Sequence, residues 1–121
     1  MTLNRRSFLH STAAGLALAA PAILGGAEQP KSGKQYRTAL IGTGWWGMNI
    51  LREALAAGQS QVAALCDVDR RMLNNAAAEV EKLSGVTPKK YGDYRELLDK
   101  EKPEIVIVGT PDHWHPLQTI A

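Results

Sequence analysis

The sequence has only one cysteine, Cys66, which excludes a disulfide within the chain. It has few aromatic residues, 6% of 121 positions, and a formal net charge of only +2. That charge comes from Arg5 and Arg6, because residues 1–27 contain no acidic residue and the rest of the chain is formally neutral. A neutral body gives no electrostatic reason to expect a nucleic acid or an anionic membrane as partner, so we expect neither.

The sequence also lacks a continuous apolar stretch of the ~20 residues needed to cross a bilayer, because glycines and a proline interrupt the apolar run of residues 11–26. This run follows Arg5 and Arg6 and ends in small residues, which is typical of a signal peptide, and the arginine pair resembles the twin-arginine export signal. We therefore predict a twin-arginine signal peptide over residues 1–27. The protein would be recognised by the twin-arginine export machinery and be periplasmic or otherwise exported. Retention as an uncleaved anchor is the alternative.

Strands and helices alternate in the remainder, after a polar segment at residues 28–35 that we interpret as a linker. The spacing of apolar residues predicts strands over 36–41, 61–66, 90–91 and 105–108, and helices over 45–57, 69–83 and 94–100. This alternation predicts an α/β fold with a parallel sheet and right-handed crossovers. Residues 36–121 are then one domain, which is incomplete because a full doubly wound domain has two βαβαβ halves.

The residue patterns of the fourth strand and the second helix predict which of their side chains are buried. The four branched residues at 105–108 are typical of a strand covered on both faces of a parallel sheet. In the second helix, Met72, Ala76, Val80 and Leu83 share one face and are expected to point inward.

A glycine-rich loop follows the first strand and opens the first helix: Gly42-Thr43-Gly44-Trp45-Trp46-Gly47. Gly42 permits a tight turn, Gly44 lets the backbone approach a pyrophosphate, and Gly47 lets the helix pack closely on the strand. The phosphates would lie at a helix N-terminus, where free N–H groups favour negative charge. The context of strand, loop and helix predicts a dinucleotide site, and with it an NAD(P)-binding Rossmann domain over residues 36–121. A glycine-rich turn without a ligand is the alternative.

Asp67 supplies the second part of this pattern at the end of the second strand. A carboxylate there can accept hydrogen bonds from both hydroxyls of the adenosine ribose and would repel a 2′-phosphate, which favours NAD over NADP. Arg70 and Arg71 leave NADP open, because either could pair with such a phosphate; Arg71 is therefore included among the candidate cofactor residues. Asp69 is interpreted as the N-cap of the second helix.

Trp45 and Trp46 are unusual inside a phosphate loop. Each could shield the pyrophosphate, lie against a further domain or pack in the core, and the sequence does not decide between these. Cys66 is interpreted as a small core residue. His113 and His115 follow the fourth strand, but no third metal ligand lies near them in the sequence, so we predict no metal site.

Four motifs together resemble the glucose–fructose oxidoreductase / inositol dehydrogenase family (Gfo/Idh/MocA): residues 39–47, 66–69, 91–98 and 110–115. The resemblance covers the chain from about Tyr36 to Ala121. It implies that Thr110 and Pro111 line the nicotinamide end of the cofactor site. It also implies that His115 closes this loop, in a role that is positional before it is catalytic.

The same resemblance implies reversible hydride transfer at a carbinol carbon of a sugar or cyclitol. Members of the family continue, beyond the loop matched by residues 110–115, into a Glu-Lys-Pro motif with a catalytic lysine and into a mainly β substrate domain. Neither follows that loop in this sequence, and Glu101-Lys102-Pro103 precedes the fourth strand and is not that motif. We therefore predict a fragment, the cofactor-binding N-terminal part of an exported oxidoreductase, with no catalytic residue of its own. The full-length form is expected to be a homo-oligomer. A fragment of an NAD-dependent glycoside hydrolase and a non-catalytic dinucleotide-binding module are the alternatives.

Overall fold

The computed structural model describes residues 33–121. The predicted signal peptide and linker residues 28–32 lie outside this range. The elements in chain order are β1 (Tyr36–Ile41), α1 (Trp45–Ala56), β2 (Ser60–Cys66), α2 (Arg70–Ser84), β3 (Lys89–Tyr91), α3 (Tyr94–Glu101), β4 (Ile105–Val108), a short 3₁₀ turn (Asp112–Trp114) and α4 (His115–Thr119). Within residues 33–121, no helix has both the length and the apolar character required to cross a membrane.

The four strands form one parallel sheet in the order β3-β2-β1-β4. Parallel neighbours require crossover connections, and α1, α2 and α3 provide them. All four strands therefore end at the same edge of the sheet. The parallel α/β fold predicted from the alternation of elements is confirmed.

The core lies on both faces of the sheet. On one face, Leu40 and Leu65 pack with Leu51 of α1 and with α2, and on the other face Ala39 and its neighbours pack under Leu97 of α3. The pairing of β1 with β2 shifts between Thr38 and Ala39, so that Ala63 has no partner. This extra residue is why Val62 and Leu65, three positions apart, face the same helices.

The inward face of α2 differs from the expectation. Leu73, Ala76 and Val80 are buried, whereas Met72 is half-buried and Leu83 is 57% exposed. The buried stripe is displaced by one position at its start and does not extend into the last turn. Asp69 caps this helix as predicted, since its side chain accepts hydrogen bonds from the backbone N–H groups of the first turn.

Strand β4 is less covered than its composition suggested. Ile105 and Val106 are 39% and 36% exposed. The reason is its place in the sheet: among the described strands β4 pairs only with β1, so one edge and part of its surface have no neighbour.

A buried carboxylate fixes the far end of α3. Glu101 accepts hydrogen bonds from the Tyr91 hydroxyl (2.5 Å), from Lys89 Nζ (2.9 Å) and from Arg37 Nη2 (3.2 Å). The hydrogen bond from Tyr91, followed by that from Lys89, lowers the pKa of Glu101, and the same bond raises the pKa of Tyr91 to about 12. The network ties α3 to β1 and β3.

Candidate functional site

A groove of about 490 Å³ runs along the edge where the strands end. The residues that follow each of the four strands line it: Gly42 and Gly44 after β1, Asp67 after β2, Asp93 to Arg95 after β3, and Gly109 to Pro111 after β4. In open α/β sheets this edge is where ligands bind. The fold therefore brings the sequence motifs from all four strands to one place.

Three glycines let the backbones of β1, α1 and β4 meet closely. Gly42 has a φ of +90°, which favours glycine. A Cβ on Gly47 would lie 2.1 Å from the carbonyl oxygen of Gly42, and a Cβ on Gly109 would lie 2.5 Å from Cα of Gly47. The positive φ of Gly42 fits the tight turn predicted for it, and the contacts at Gly47 fit the close packing predicted for that residue. The role of Gly109 was not predicted, although its position directly after a strand was the available signal.

Gly44 is surrounded differently. A Cβ there would have no other atom within 4 Å, and the residue lines the groove. Gly44 is the N-cap of α1 and makes no side-chain cap bond, and the first helical bond runs from the Met48 N–H to its carbonyl. The N–H groups of the first turn thus have no helical partner, and the open space above Gly44 gives an anion access to them. This arrangement fits a dinucleotide pyrophosphate.

Asp67 lies beside the glycine loop and is bonded to it. Its Oδ2 accepts hydrogen bonds from the backbone N–H (2.7 Å) and the hydroxyl (2.8 Å) of Thr43, and its Oδ1 accepts one from the Asp69 N–H (2.9 Å). A carboxylate has about four acceptor sites, so about one remains for a ribose hydroxyl. The buried Thr43 thus ties the glycine loop to Asp67. Asp67 can accept a second hydrogen bond from the ribose only if the Thr43 hydroxyl turns away from it.

The arginines predicted to compete for a 2′-phosphate do not line the groove. The side chain of Arg71 is exposed on the first turn of α2, where its backbone N–H donates to Asp69 (2.8 Å). Arg70 is exposed as well. The other predicted cofactor residues lie in the groove or beside it. Arg71 is the one predicted cofactor residue that does not. Arg95 does line the groove and was not predicted.

Trp45 and Trp46 are not core residues. They are 74% and 59% exposed, and their ring centroids are 5.8 Å apart. Both lie at the start of α1, next to the groove but outside its lining. The core alternative is therefore wrong, while contact with the pyrophosphate or with a further domain stays a prediction.

The loop after β4 is held by two side chains of the following helix. His115 Nε2 lies 2.7 Å from the carbonyl oxygen of Thr110, so this nitrogen carries the proton and donates it. The Thr110 hydroxyl donates to Oε1 of Gln118 at 2.5 Å. Gln118 is buried and lines the groove together with Thr110 and Pro111. His115 thus has a structural partner, and Gln118 is a site residue that sequence reasoning missed.

Cys66 is buried at the end of β2, as expected of a core residue. Burial, followed by the negative charges of Asp67 and Asp93, raises the pKa of its thiol to about 12. The thiol is therefore neutral and a poor nucleophile at physiological pH. In the part of the chain from residue 33 onward, no three His, Cys, Asp or Glu side chains are grouped as metal ligands.

Known proteins share both the sequence and the fold. A glycosyl hydrolase family 109 protein of Stenotrophomonas maltophilia is 34% identical over 98% of this chain, and the chain spans only 27% of that protein. The WlbA dehydrogenase of Chromobacterium violaceum, solved with NADH and UDP-GlcNAcA, is 26% identical with a TM-score of 0.56 over 74% of this chain and 24% of its own.

An oxidoreductase from Agrobacterium radiobacter, solved with NAD⁺, L-tartaric acid and magnesium, has a TM-score of 0.61 at 24% identity, over 69% of this chain and 23% of its own, which shows the fold alone. The family model GFO_IDH_MocA, an oxidoreductase family with an NAD-binding Rossmann fold, matches residues 36–121. The chain therefore belongs to the Gfo/Idh/MocA oxidoreductase family, and its residues 36–121 are the NAD-binding Rossmann fold of that family.

Proposed function

We propose that this chain is the cofactor-binding N-terminal part of an exported NAD-dependent oxidoreductase that acts on a sugar or cyclitol. The observation that carries the proposal is the groove at the ends of the strands, where Gly44 leaves open space and Asp67 offers a carboxylate. These two features match the two charged or polar parts of NAD that a Rossmann fold recognises, the pyrophosphate and the adenosine ribose.

Each part of the groove has a distinct task in this proposal. The first turn of α1 binds the pyrophosphate, Asp67 accepts a ribose hydroxyl, and Thr110 with Pro111 lies at the nicotinamide end. When bound here, NAD would supply the hydride acceptor for a carbinol carbon of the substrate, and the hydroxyl proton would pass to a base. His115 is not offered as that base, because its Nε2–H is engaged with the Thr110 carbonyl. The chain's residues bind and orient the cofactor.

The sugar-like substrate is supported by the nature of the relatives. The WlbA dehydrogenase was solved with a nucleotide sugar, at 26% identity to this chain. The Stenotrophomonas maltophilia relative is named as a glycosyl hydrolase, a protein that acts on sugars as well. Because the chain spans about a quarter of each of these proteins, substrate and activity are proposed for the whole protein and not for residues 1–121 alone.

A second candidate is an NAD-dependent glycoside hydrolase, favoured by the 34% identity to the family 109 protein. In such an enzyme the glycosidic bond is hydrolysed with water, and the hydride that was removed from the sugar is returned to it. Because the hydride is returned, no NADH accumulates. A dehydrogenase instead leaves one NADH for each oxidised sugar. The net formation of NADH therefore separates the two candidates.

The experiment uses the protein produced from the complete reading frame that contains residues 1–121. It is incubated with NAD and, separately, with free sugars, cyclitols and chromogenic glycosides, while NADH and released chromophore are followed. NADH formation supports the oxidoreductase, and chromophore release without NADH supports the hydrolase. NAD binding without either reaction across this panel would contradict both and would leave the dinucleotide-binding module.

Export is the second part of the proposal, and it rests on residues outside the described range. Replacing Arg5 and Arg6 by lysine is expected to stop export, because the twin-arginine pathway reads this pair. Replacing Arg70 and Arg71 by lysine is the matched control, since this pair is exposed on α2. Cell fractionation checks both variants. Unchanged export of the Arg5→Lys, Arg6→Lys variant would refute the signal assignment.

A further inference from the structure

The segment after β3 contributes a cation to the groove. Tyr94 and Arg95 open α3, and both line the groove. Among the groove residues in the described part of the chain, Arg95 is the one basic side chain. Neither the glycine loop nor the Thr110 loop explains its presence there, so its ligand has to be found from its position.

The order of the strands gives that position relative to the parts of a dinucleotide. Neighbouring strands lie about 4.8 Å apart. The glycine loop follows β1, Asp67 follows β2 one strand further, and Arg95 follows β3 at the next step in the same direction. If the pyrophosphate lies at α1 and the adenosine ribose at Asp67, the group attached to that ribose extends towards Arg95. The candidates are the adenine base and, in NADP, the 2′-phosphate.

The geometry of Arg95 fits a flat partner. Its guanidinium carbon lies 5.2 Å from the centroid of the Tyr94 ring, within cation–π range. Tyr94 is itself packed against the core cluster under α3, so the ring is a fixed support. The side chain of Arg95 is 69% exposed, and its ion pair with Asp93 Oδ2 is long, at 3.9 Å. The guanidinium plane is therefore accessible to a ligand.

The surrounding charges disfavour a phosphate. Asp67 and Asp93 both line the groove. Asp67 follows the end of β2, and Asp93 lies two residues before Arg95. Asp93 is also held in place as the N-cap of α3, since its Oδ1 accepts a hydrogen bond from the Arg95 N–H at 2.8 Å. A 2′-phosphate would lie near both carboxylates, whereas a neutral base would not be repelled by either.

We propose that Arg95 binds the adenine of NAD by stacking its guanidinium plane on the base, with the Tyr94 ring behind it. The inference rests on the proposed NAD site and adds the recognition of the base. Arginine stacks on aromatic planes and lysine does not, so the substitution of one by the other is informative.

The test measures dissociation constants by calorimetry on the protein produced from the complete reading frame that contains residues 1–121. The variants are Arg95→Ala and Arg95→Lys, and Arg71→Ala is the matched control because it removes an exposed arginine outside the groove. The ligands are NAD, ADP-ribose, NADP and nicotinamide mononucleotide, which has no adenine. Loss of one stacking contact is expected to weaken NAD and ADP-ribose about tenfold in both Arg95 variants. Nicotinamide mononucleotide and the Arg71 variant should be unaffected.

Each other outcome overturns a defined statement. Unchanged affinity of Arg95→Ala for NAD and ADP-ribose would refute adenine stacking. Normal NAD binding by Arg95→Lys with weakened NADP binding by Arg95→Ala would show a phosphate site instead. Failure of the wild-type chain to bind NAD or ADP-ribose would refute the cofactor site itself, which is a different result from a loss seen only in the variants. Unfolding midpoints of all variants are measured in parallel, so that an affinity change in a folded protein is recognised as such.

Discussion

A side chain added at Gly47 or at Gly44 tests two different properties of the glycine loop. At Gly47 the new Cβ would lie 2.1 Å from the Gly42 carbonyl oxygen and 3.2 Å from Cδ1 of Leu40. Carbon–oxygen contacts normally measure about 3.3–3.6 Å, so α1 would have to move by roughly 1 Å away from β1. Overpacking of this kind lowers the free energy of unfolding by up to about 3 kcal/mol. The better helix propensity of alanine offsets about 1 kcal/mol of that loss.

The expected result for Gly47→Ala is therefore a loss of about 2 kcal/mol in the free energy of unfolding, which lowers the unfolding midpoint of a domain of this size by roughly 8–16 °C. Thermal unfolding followed by circular dichroism measures this shift. An unfolding midpoint equal to that of the wild type would refute the close contact between α1 and β1.

Gly44 is the matched position, since a Cβ there meets nothing within 4 Å and its φ of −68° suits any residue. Gly44→Val should change the free energy of unfolding by no more than about 1 kcal/mol. The valine side chain would fill the space above the first turn of α1 and keep the pyrophosphate from its N–H groups. The loss of two charge-assisted hydrogen bonds, ~1.5 kcal/mol each, is expected to lower NAD affinity about a hundredfold. Calorimetric titration with NAD checks this, and unchanged affinity would refute the pyrophosphate site.

Three further predictions concern other parts of the chain. Glu101→Gln should lower the free energy of unfolding at pH 7; because the pKa of Glu101 is lowered, the difference from the wild type should shrink as pH falls below 4.5, which urea titrations at several pH values would show. The Cys66 thiol, whose pKa is raised from 9.0 to about 12, should react with a thiol reagent at neutral pH more slowly than the same thiol in the unfolded chain, and the stability that depends on its neutral form should be lost progressively as pH rises from 9.0 to about 12. Gln118→Leu removes the acceptor of the Thr110 hydroxyl and should weaken NAD binding about tenfold, measured by calorimetry against the wild type.

Local chemistry made much of the fold predictable. The bounds of β1 and β4 agree with the prediction because a glycine directly follows each apolar run. Asp69 was identified as a cap because a short acceptor before a helix satisfies the first-turn N–H groups, which depends only on neighbouring residues. Parallel pairing followed from the alternation of strands and helices. These features depend on residues that are close in sequence.

The unpredicted features depend on residues far apart in sequence. Arg95 and Asp67 come together only because β3 and β2 are neighbours, and Gly109 approaches Gly47 only because β4 pairs with β1. The exposure of Trp45 and Trp46 runs against the usual burial of tryptophan, and it follows from the side of α1 on which they lie. Arg71 is a candidate from the sequence because its charge could pair with a 2′-phosphate, and the charge does not determine where the side chain points.

The bonds between Asp67 and Thr43 have a consequence for redesign of the cofactor preference. The usual change towards NADP would replace the carboxylate and add a cation near the ribose. Here the same carboxylate holds the backbone N–H and hydroxyl of the buried Thr43, so removing it would leave a buried donor without a partner and release the loop from β2. An engineer would first have to install a neutral acceptor, as in Asp67→Asn, and adjust the ribose contacts afterwards.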